Sequence, residues 1–265
     1  MYSKAQLALK YLRNYISASN SKGHGVHSPF VYDFIVNALN DERNFYSYSS
    51  IEIVRDQLLH DKQILTIEDF GAGSRVHKTL QRSVASIAKS SLKSKKFGQL
   101  LFRMVNYYQP KTILELGTSL GITTSYLASA NPNARVITME GSTEIADIAN
   151  NTFSFLGLKN IEVVKGNFDI TLLLLISNIP SIDFVFIDGN HRYEPTVRYF
   201  EQILYKCNDQ SVIILDDIHW SKEMEDAWHS IQQHKEVTLT IDLFNIGIVL
   251  LKKEFKVKQH FSVRV

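Results

Sequence analysis

The sequence predicts an α/β fold built around a mostly parallel sheet, on the strength of two observations. From about residue 112, short β-branched apolar runs alternate with segments of helical periodicity, at the spacing of strand–helix–strand units. Four of these runs lead into acidic residues, in ILELGTSLG, VITMEGS, FVFIDGNH and VIILDDIHW. Because parallel strands end at one edge of a sheet, where such sheets bind their ligands, the acidic residues predict a functional edge.

The predicted strands and helices follow one another in a regular order. They are strand TILEL, a helix from Gly121, strand ARVITM, helix 143–156, strand IEVVK, a short helix near 170–177, strand DFVFID, a helix near 194–206, strand SVIILD, a helix near 221–234, and strands VTLTIDLF and GIVLLKK. Only Asn245 and Ile246 or so separate the last two strands, which predicts an antiparallel hairpin. The expected architecture is a Rossmann-like sheet of seven strands, mostly parallel with the last strand antiparallel, and with helices on both faces.

The first part of the chain has a different pattern. Helix-like segments are predicted at 5–17, 29–39, 50–60, 77–90 and 96–108, separated by polar loops. Amphipathic helices need a partner to bury their apolar faces against. We therefore predict two domains, residues 1–95 as a helical extension and residues 96–265 as a cofactor-binding domain. The extension would act as a lid, contact the substrate, or form the contacts of a homodimer.

Composition excludes several classes of function. The chain has 265 residues, 45% of them hydrophobic and 21% charged, and a formal net charge of +2. That charge is too small to indicate nucleic-acid binding, and no segment reaches the roughly 20 apolar residues that span a bilayer. Cys207 is the single cysteine, which excludes a disulfide within the chain and suits a reducing compartment. The predicted location is the cytoplasm.

The loop after TILEL is glycine-rich and suits a nucleotide-like ligand. Gly117 and Gly121 bracket a turn from strand to helix, where free N–H groups face a ligand. Ser119 takes the place of the second glycine of a dinucleotide-binding motif, which disfavours pyrophosphate and nicotinamide dinucleotides. Glu140 ends the next strand, 25 residues after Glu115, near the spacing at which a carboxylate binds ribose hydroxyls. A ribose without pyrophosphate points to S-adenosylmethionine.

The run KFGQLLFRMVNYYQPKTILELGTSLGITTSYLA resembles the class I S-adenosylmethionine-dependent methyltransferases, and among them the catechol-type O-methyltransferases. The resemblance covers about residues 96–251. It implies that Glu115 and Gly117 border the methionine moiety, that Glu140 binds the ribose, and that residues after Gly166 border adenine. The predicted cofactor-binding set is Glu115, Gly117, Thr118, Ser119, Gly121, Glu140, Gly141, Ser142, Gly166, Asn167, Phe168 and Asp188. The alternative is that these residues only form strand-to-helix turns.

Three aspartates predict a metal site. Asp188 ends the fourth strand, and Asp216 and Asp217 end the fifth, so neighbouring strands would bring three carboxylates together. Carboxylates that lie so close to one another favour a bound cation that neutralises their charge. Oxygen ligands favour Mg²⁺ or Ca²⁺ over zinc. Catechol-type enzymes place a divalent metal here, although they carry Asn where this chain has Asp217. The all-aspartate set is more similar to the macrocin-type sugar O-methyltransferases. Alternatively, one aspartate caps a helix and the others face solvent.

Histidines and aromatic residues complete the predicted site. His191 stands where catechol-type enzymes have a lysine base, and an imidazole is a suitable proton acceptor near neutral pH. With Asp188 it forms the predicted catalytic pair, and the alternative is a histidine that only binds a loop carbonyl. His219 is a weaker candidate for the base. Tyr193 and Trp220 are candidate walls of the acceptor pocket.

Two further motifs are interpreted as structural. The loop IEDFGAGSRVHKT contains Asp69, Gly71 and Gly73, but no second strand ending in an acid follows it, so we predict a turn. His24 and His27, in GHGVHSPF, are predicted to lie in a polar loop before a helix rather than to bind a ligand.

The sequence thus predicts an O-methyltransferase, assisted by a divalent metal, that acts on a small hydroxylated molecule, aromatic or sugar-like. One alternative is a metal-independent N- or carboxyl-methyltransferase. Another is a catalytically idle cofactor-binding or scaffold protein.

Overall fold

The computed structural model describes residues 1–19, 27–67 and 81–265. These residues form two compact units, one of Met1–Asp41 with Ile179–Val265 and the other of Glu42–Asn178. The predicted boundary between residues 95 and 96 does not coincide with this division and stays a prediction. His24 and the loop with Asp69, Gly71 and Gly73 lie outside the described residues.

The helices and strands alternate as predicted from residue 112 onwards. The helices are α1 (Lys4–Ser17), α2 (Pro29–Phe34) continued by a π-helical turn (Ile35–Leu39), α3 (Tyr46–His60), α4 (Val84–Ser91), α5 (Lys95–Tyr108), α6 (Ile122–Ala130), α7 (Thr143–Phe155), α8 (Phe168–Ser177), α9 (Tyr193–Leu204) and α10 (Lys222–Gln233). The strands are β1 (Ile64–Thr66), β2 (Gln81–Ser83), β3 (Thr112–Leu116), β4 (Arg135–Glu140), β5 (Ile161–Lys165), β6 (Ile182–Ile187), β7 (Cys207–Asp216), β8 (Leu239–Asp242), β9 (Ile246–Leu250) and β10 (Gln259–Ser262). None of the helices among the described residues is long and apolar enough to cross a membrane.

Strands β3 to β10 form an eight-stranded, mostly parallel sheet. In one unit β3, β4 and β5 pair in parallel. In the other, β6 pairs in parallel with β7, and β9 lies antiparallel between β7 and β8. The Rossmann-like class and the final antiparallel hairpin are therefore confirmed. The predicted strand count of seven was too low.

The eighth strand, β10, was missed because QHFS has no apolar alternation. It is a strand because it pairs in parallel with β8. The predicted helix 77–90 was also wrong at its start. Residues Gln81–Ser83 pair with β1, and the Ser83 hydroxyl accepts from the N–H of Ser86, so α4 begins only at Val84.

The packing of α5 on α6 positions the helix that follows the glycine loop. A Cβ at Gly98 would lie 2.6 Å from the ring of Tyr126, so only glycine allows this close approach. The buried Tyr126 hydroxyl donates to Glu52 at 2.7 Å, and burial raises the pKa of this phenol above its ordinary value. Glu52 also pairs with Arg55. A buried, hydrogen-bonded tyrosine thus fixes α6 against α3.

Candidate cofactor and metal site

The glycine loop after β3 is a tight turn held by backbone hydrogen bonds. The N–H groups of Gly117 and Thr118 both donate to the carbonyl of Met139 at 3.0 Å. Gly117, Ser119 and Gly121 have φ values of 106°, 47° and 83°. A Cβ at Gly121 would also lie 2.6 Å from the ring of Phe153. The glycine at 121 is therefore required by the turn and by its packing on α7.

Glu140 joins the glycine loop to the next strand-end loop. Its carboxylate accepts the N–H of Ser119 at 2.8 Å through Oε2 and the N–H of Ser142 at 3.0 Å through Oε1. The side chain is only partly buried. N–H groups of two separate loops thus converge on one carboxylate at the end of β4.

Glu115 lies deeper, fully buried within β3. Its Oε2 atom accepts hydrogen bonds from the hydroxyls of Thr138, at 2.6 Å, and Thr124. These bonds tie β3 to β4 and to α6. The predicted role of Glu115 beside the methionine moiety stays a prediction, and the structure adds an anchoring role that the sequence pattern did not reveal.

Ser142 carries a polar atom that requires explanation. It stands directly before α7 and is 1% exposed, yet its hydroxyl does not cap the helix. Among the described residues its Oγ has no hydrogen-bond partner. A buried hydroxyl without a partner costs about 1–3 kcal/mol, so a ligand that bonded it would recover that cost. Gly141 lies between this serine and Glu140.

The third loop, after β5, has a clear structural function. Gly166 adopts φ of 125°, and its N–H donates to the carbonyl of Glu140 at 2.9 Å. The Asn167 side chain accepts the N–H of Asp169 at 2.9 Å and so caps α8, which begins at Phe168. Asn167 thus has the structural role of a helix cap, which agrees with the alternative that these residues form turns. Its contact with adenine stays a prediction.

The other unit gathers acidic side chains at the ends of β6 and β7. Ligand atoms of Asp188, His191 and Asp216 all lie within 4.8 Å of one another, and Asp216 is buried. His191 Nε2 is 3.4 Å from Asp188 Oδ1. This group brings His191 together with two of the three predicted aspartates, and the metal set of Asp188, Asp216 and Asp217 stays a prediction. Asp217 is not a member of it and has φ of 54° in the turn that follows β7.

A cavity of about 330 Å³ adjoins that turn. Residues from α1, from the β7 turn and from the β8–β9 connection line it: Leu7, Ala8, Tyr11, Asp217, His219, Trp220, Phe244 and Asn245. The ring of Phe244 packs edge-on against Tyr11 and stacks on His219, with both pairs of ring centroids 5.1 Å apart. The Trp220 ring lies 5.7 Å from His191. Trp220 thus lines a cavity, while its predicted place in the wall of an acceptor pocket stays a prediction.

Glu225 fixes α1 beside this cavity. Its carboxylate accepts from the Tyr2 hydroxyl at 2.7 Å, from Lys10 Nζ at 2.9 Å and from His219 Nδ1 at 3.0 Å. His219 Nε2 lies 2.8 Å from Asp242. Burial disfavours the charged imidazole, but the bonds to Asp242 and Glu225 outweigh it and raise the pKa of His219 above its ordinary value. His219 is therefore held by two carboxylates, and no sequence pattern indicated either contact.

Comparison with known proteins finds similarity in the central strands. Residues 114–218 match the family described as a methyltransferase domain. The matched segment is similar to methyltransferase domains. It contains the glycine loop, Glu140, the α8 loop and all three aspartates.

Two curated relatives extend the match. A catechol O-methyltransferase of Niastella koreensis is 32% identical over 126 residues, which cover 46% of this chain and 55% of that protein. A catechol O-methyltransferase of Mycobacterium tuberculosis is 31% identical over 123 residues, 46% of this chain and 54% of that protein. The chain thus spans just over half the length of these relatives. The resemblance to the catechol-type branch is confirmed.

Solved structures of methyltransferases share the fold. An O-methyltransferase of Bacillus cereus in complex with SAH is similar with a TM-score of 0.55 at 21% identity, over 83% of this chain and 96% of that one. An SAH-bound methyltransferase of Podospora anserina reaches a TM-score of 0.60 at 11% identity, over 96% of this chain and 98% of that one. At these identities the likeness concerns the fold, which includes the helical amino-terminal part in the second comparison.

Proposed function

We propose that this chain transfers the methyl group of S-adenosylmethionine to a hydroxyl of a small molecule, with the help of a divalent cation. The observation that carries the proposal is the link between Glu140 and Ser142 inside the methyltransferase domain. A strand-end carboxylate holds two loops together, and the second loop presents a buried hydroxyl that has no partner among the described residues. The SAH bound to the Bacillus cereus structure supports the choice of cofactor.

The residues present fit an adenosine-like cofactor. Glu140, at the end of β4, is the proposed acceptor for the ribose hydroxyls, and Ser142 Oγ is a donor and acceptor in need of a partner. Ser119 at the second glycine position disfavours a pyrophosphate, and with it a nicotinamide dinucleotide. Asn167 and Phe168 at the start of α8 are the proposed adenine contacts, with Gly117 near the methionine moiety.

The acidic group fits a divalent cation. Asp188, His191 and Asp216 offer two carboxylates and one imidazole within 4.8 Å. The carboxylates suit Mg²⁺ or Mn²⁺, whereas the imidazole suits a transition metal better than Mg²⁺. The all-oxygen set with Asp217 remains the alternative proposal and favours Mg²⁺. When bound, the cofactor supplies an activated methyl group and the cation makes an acceptor hydroxyl more acidic.

His191 has two candidate roles. As a proton acceptor it would take the hydroxyl proton at Nε2, the nitrogen nearest Asp188, whose carboxylate would stabilise the resulting imidazolium. As a cation ligand it would instead need that nitrogen unprotonated. The replacement His191→Gln separates these roles, because a lost ligand lowers cation affinity whereas a lost base lowers turnover at saturating cation.

The acceptor site that we propose is the cavity beside α1. Its rings, from Tyr11, Trp220 and Phe244, favour a flat hydroxylated aromatic molecule over a sugar, because aromatic side chains offer extended apolar faces. This proposal assigns part of the predicted extension, α1, to acceptor binding.

The composition supports the proposed partner class and location. The near-neutral net charge supports a small-molecule partner rather than nucleic acid. The single cysteine supports a cytoplasmic location.

Calorimetric titration of S-adenosylmethionine and of NAD, each with and without Mg²⁺, tests the cofactor first. We expect binding of S-adenosylmethionine and none of NAD. Methyl transfer to catechols and to hydroxylated sugars is then measured, with EDTA followed by Mg²⁺ or Mn²⁺. Activity that survives EDTA would favour the metal-independent N- or carboxyl-methyltransferase, and cofactor binding without transfer to any acceptor would favour a scaffold.

A further inference from the structure

A second cavity, of about 430 Å³, lies at the amino ends of strands β4 and β5. Residues from the first turns of α3, from the end of α6 and from 156–160, between α7 and β5, line it. The glycine loop and Glu140 stand instead at the carboxyl ends of β3 and β4. These strands are parallel, and the six residues of β4 span about 20 Å. The cavity is therefore separate from the proposed cofactor site.

A buried hydroxyl on the wall of this cavity has no partner. Ser47 is 6% exposed, and its Oγ forms no hydrogen bond among the residues that the structure describes. Ser47, Ser50 and Ile51 follow the spacing i, i+3 and i+4, which places their side chains on one face of α3, and all three line the cavity. Because a buried hydroxyl without a partner is costly, a ligand that bonded Ser47 would be stabilised there.

The start of α3 favours a negatively charged ligand. The residue before the helix is Phe45, whose side chain cannot cap it. The N–H of Tyr48 donates to the carbonyl of Phe45 at 3.0 Å, but the N–H groups of Tyr46 and Ser47 have no acceptor within the helix. Such N–H groups, together with the helix dipole, attract anions.

The charge on the other walls agrees with an anion. Lys159 is the single charged residue among the described residues that line the cavity. Helix ends such as those of α6 and α7 present carbonyl oxygens, which repel anions unless they are bonded. Asn160 Nδ2 lies 3.1–3.2 Å from three carbonyl oxygens at and after the end of α6, those of Ala128, Asn131 and Ala134. At the end of α7 the N–H of Leu158 donates to the carbonyl of Phe153 at 3.0 Å.

We propose that this cavity binds a small organic carboxylate that has an apolar body. The carboxylate would bond the start of α3 and Ser47, near Lys159, and the body would cover Ile51, Leu156 and Leu158. The volume lies within the range of small-molecule sites, about 300–1,000 Å³. A bare inorganic anion would leave the apolar side chains uncovered. The proposal does not depend on the enzymatic activity.

Calorimetric titration of the full chain with octanoate tests the proposal. Octanol has the same apolar body without the carboxylate, and inorganic phosphate is an anion without the body. We expect octanoate to bind, and either of the other two to bind at least about tenfold more weakly, because each lacks one of the two contacts.

Two variants locate the binding site. Ser47→Ala should raise the Kd for octanoate about tenfold, because a hydrogen bond to a charged group is lost. It should leave the melting temperature of the free protein unchanged or higher, because the hydroxyl has no partner there. Lys159→Gln should raise the Kd about threefold, since an exposed charge is screened by solvent. The matched controls, Ser49→Ala in the same turn of α3 and Lys62→Gln just beyond its other end, are both exposed and should leave the Kd unchanged.

Four results would overturn the proposal. The first is a chain that does not bind octanoate, and the second is octanol or phosphate binding as tightly as octanoate. The third is an unchanged Kd in folded Ser47→Ala and Lys159→Gln, or displacement of octanoate by S-adenosylmethionine, which would place octanoate elsewhere on the chain. The fourth is a lower melting temperature of free Ser47→Ala, which would give this hydroxyl a structural role.

Discussion

Two carboxylates, Glu140 and Glu225, each join separate segments of the chain, but they do so with different partners. Glu140 accepts two backbone N–H groups, from Ser119 and Ser142, which lie 23 positions apart in the sequence. Backbone donors are present whatever the side chain. The loops of the proposed cofactor site are therefore held by geometry that most substitutions preserve.

Glu225 instead accepts from side-chain donors, which among the residues that the structure describes are Tyr2, Lys10 and His219. Two of these stand more than 200 positions away in sequence. Despite the burial that opposes it, the hydrogen bonds from Tyr2, Lys10 and His219 lower the pKa of Glu225 below its ordinary value, so the carboxylate is ionised. The helix that lines the proposed acceptor cavity thus depends on a few replaceable side chains.

This difference leads to a specific expectation. Substitutions outside the cofactor loops should leave the affinity for the cofactor nearly unchanged. Substitutions that loosen α1 at the amino terminus should change the affinity for the acceptor. Specificity often resides in such peripheral segments, while the scaffold supplies the shared chemistry.

The prediction with the largest expected effect tests whether the proposed cation site and the proposed cofactor site act independently. Asp216→Asn keeps the shape of a buried side chain in the acidic group and removes its charge. We expect kcat/KM for methyl transfer to fall about a thousandfold, because cation binding is lost. The affinity for S-adenosylmethionine, measured by calorimetry, should stay the same.

Asp209→Asn, on the same strand but away from its carboxyl end, is the control and should retain activity. If Asp216→Asn keeps most of its activity, the cation is not required. If Asp216→Asn instead loses affinity for S-adenosylmethionine, the cation site and the cofactor site are coupled, and cofactor binding is not independent of substitutions outside its own loops.

The next prediction concerns the cofactor side. Glu140→Gln replaces one acceptor oxygen by an NH₂ group, so one loop N–H and the ribose hydroxyls lose an ionised partner. Hydrogen bonds to charged groups contribute about 1.5–3 kcal/mol, which corresponds to a ten- to hundredfold rise in the Kd for S-adenosylmethionine. Calorimetry measures this value.

Glu162→Gln, on the neighbouring strand β5, is the control and should bind the cofactor normally. An unchanged Kd for Glu140→Gln would show that Glu140 only bridges the two loops.

The sequence was informative about the fold where strands are long and apolar. Strands β3, β6 and β7 were predicted because buried parallel strands are nearly continuous runs of Ile, Leu, Val and Phe. Strand β10 was not, because Gln259–Ser262 is polar and depends on its pairing with β8. The local pattern of apolar residues cannot predict a strand that forms only because it pairs with another strand.

The same limit applies to the candidate site. Glycines and acidic strand ends follow one another in the sequence, so Gly117, Glu140 and Asp216 could be identified. The contacts of Glu225 could not, because they join residues far apart in the chain. His191 was predicted to act with Asp188, whereas its place close to Asp216 needed the loop geometry.

A third prediction sharpens the contrast at the amino terminus. Glu225→Gln removes the ion pair with Lys10 and weakens the bonds from Tyr2 and His219. We expect α1 to open more often, with faster amide hydrogen exchange in residues 4–17. Loss of about 1 kcal/mol corresponds to a roughly fivefold rise in the KM of an aromatic acceptor, with cofactor affinity unchanged.

Glu223→Gln, an exposed position in the same helical turn, is the matched control. If α1 exchanges at the wild-type rate in Glu225→Gln, the carboxylate does not hold the helix, and the contrast with Glu140 disappears.

The smallest expected effect separates ligand binding from folding at one hydroxyl. Ser142 and Ser221 are both buried serines that stand directly before a helix, but only Ser221 caps its helix, by accepting the N–H of Met224 at 3.2 Å. Ser142→Ala should therefore leave the melting temperature of the free protein unchanged or slightly higher, whereas Ser221→Ala should lose about 1 kcal/mol of stability.

With S-adenosylmethionine present the order should change. Ser142→Ala would gain less thermal stabilisation from the cofactor than the wild type, corresponding to an affinity about fivefold weaker, because the hydroxyl would have found its partner in the ligand. Ser221→Ala would gain the full stabilisation. Equal gains for Ser142→Ala and the wild type would mean that the buried hydroxyl serves no ligand, and would remove the observation on which the proposed cofactor site most depends.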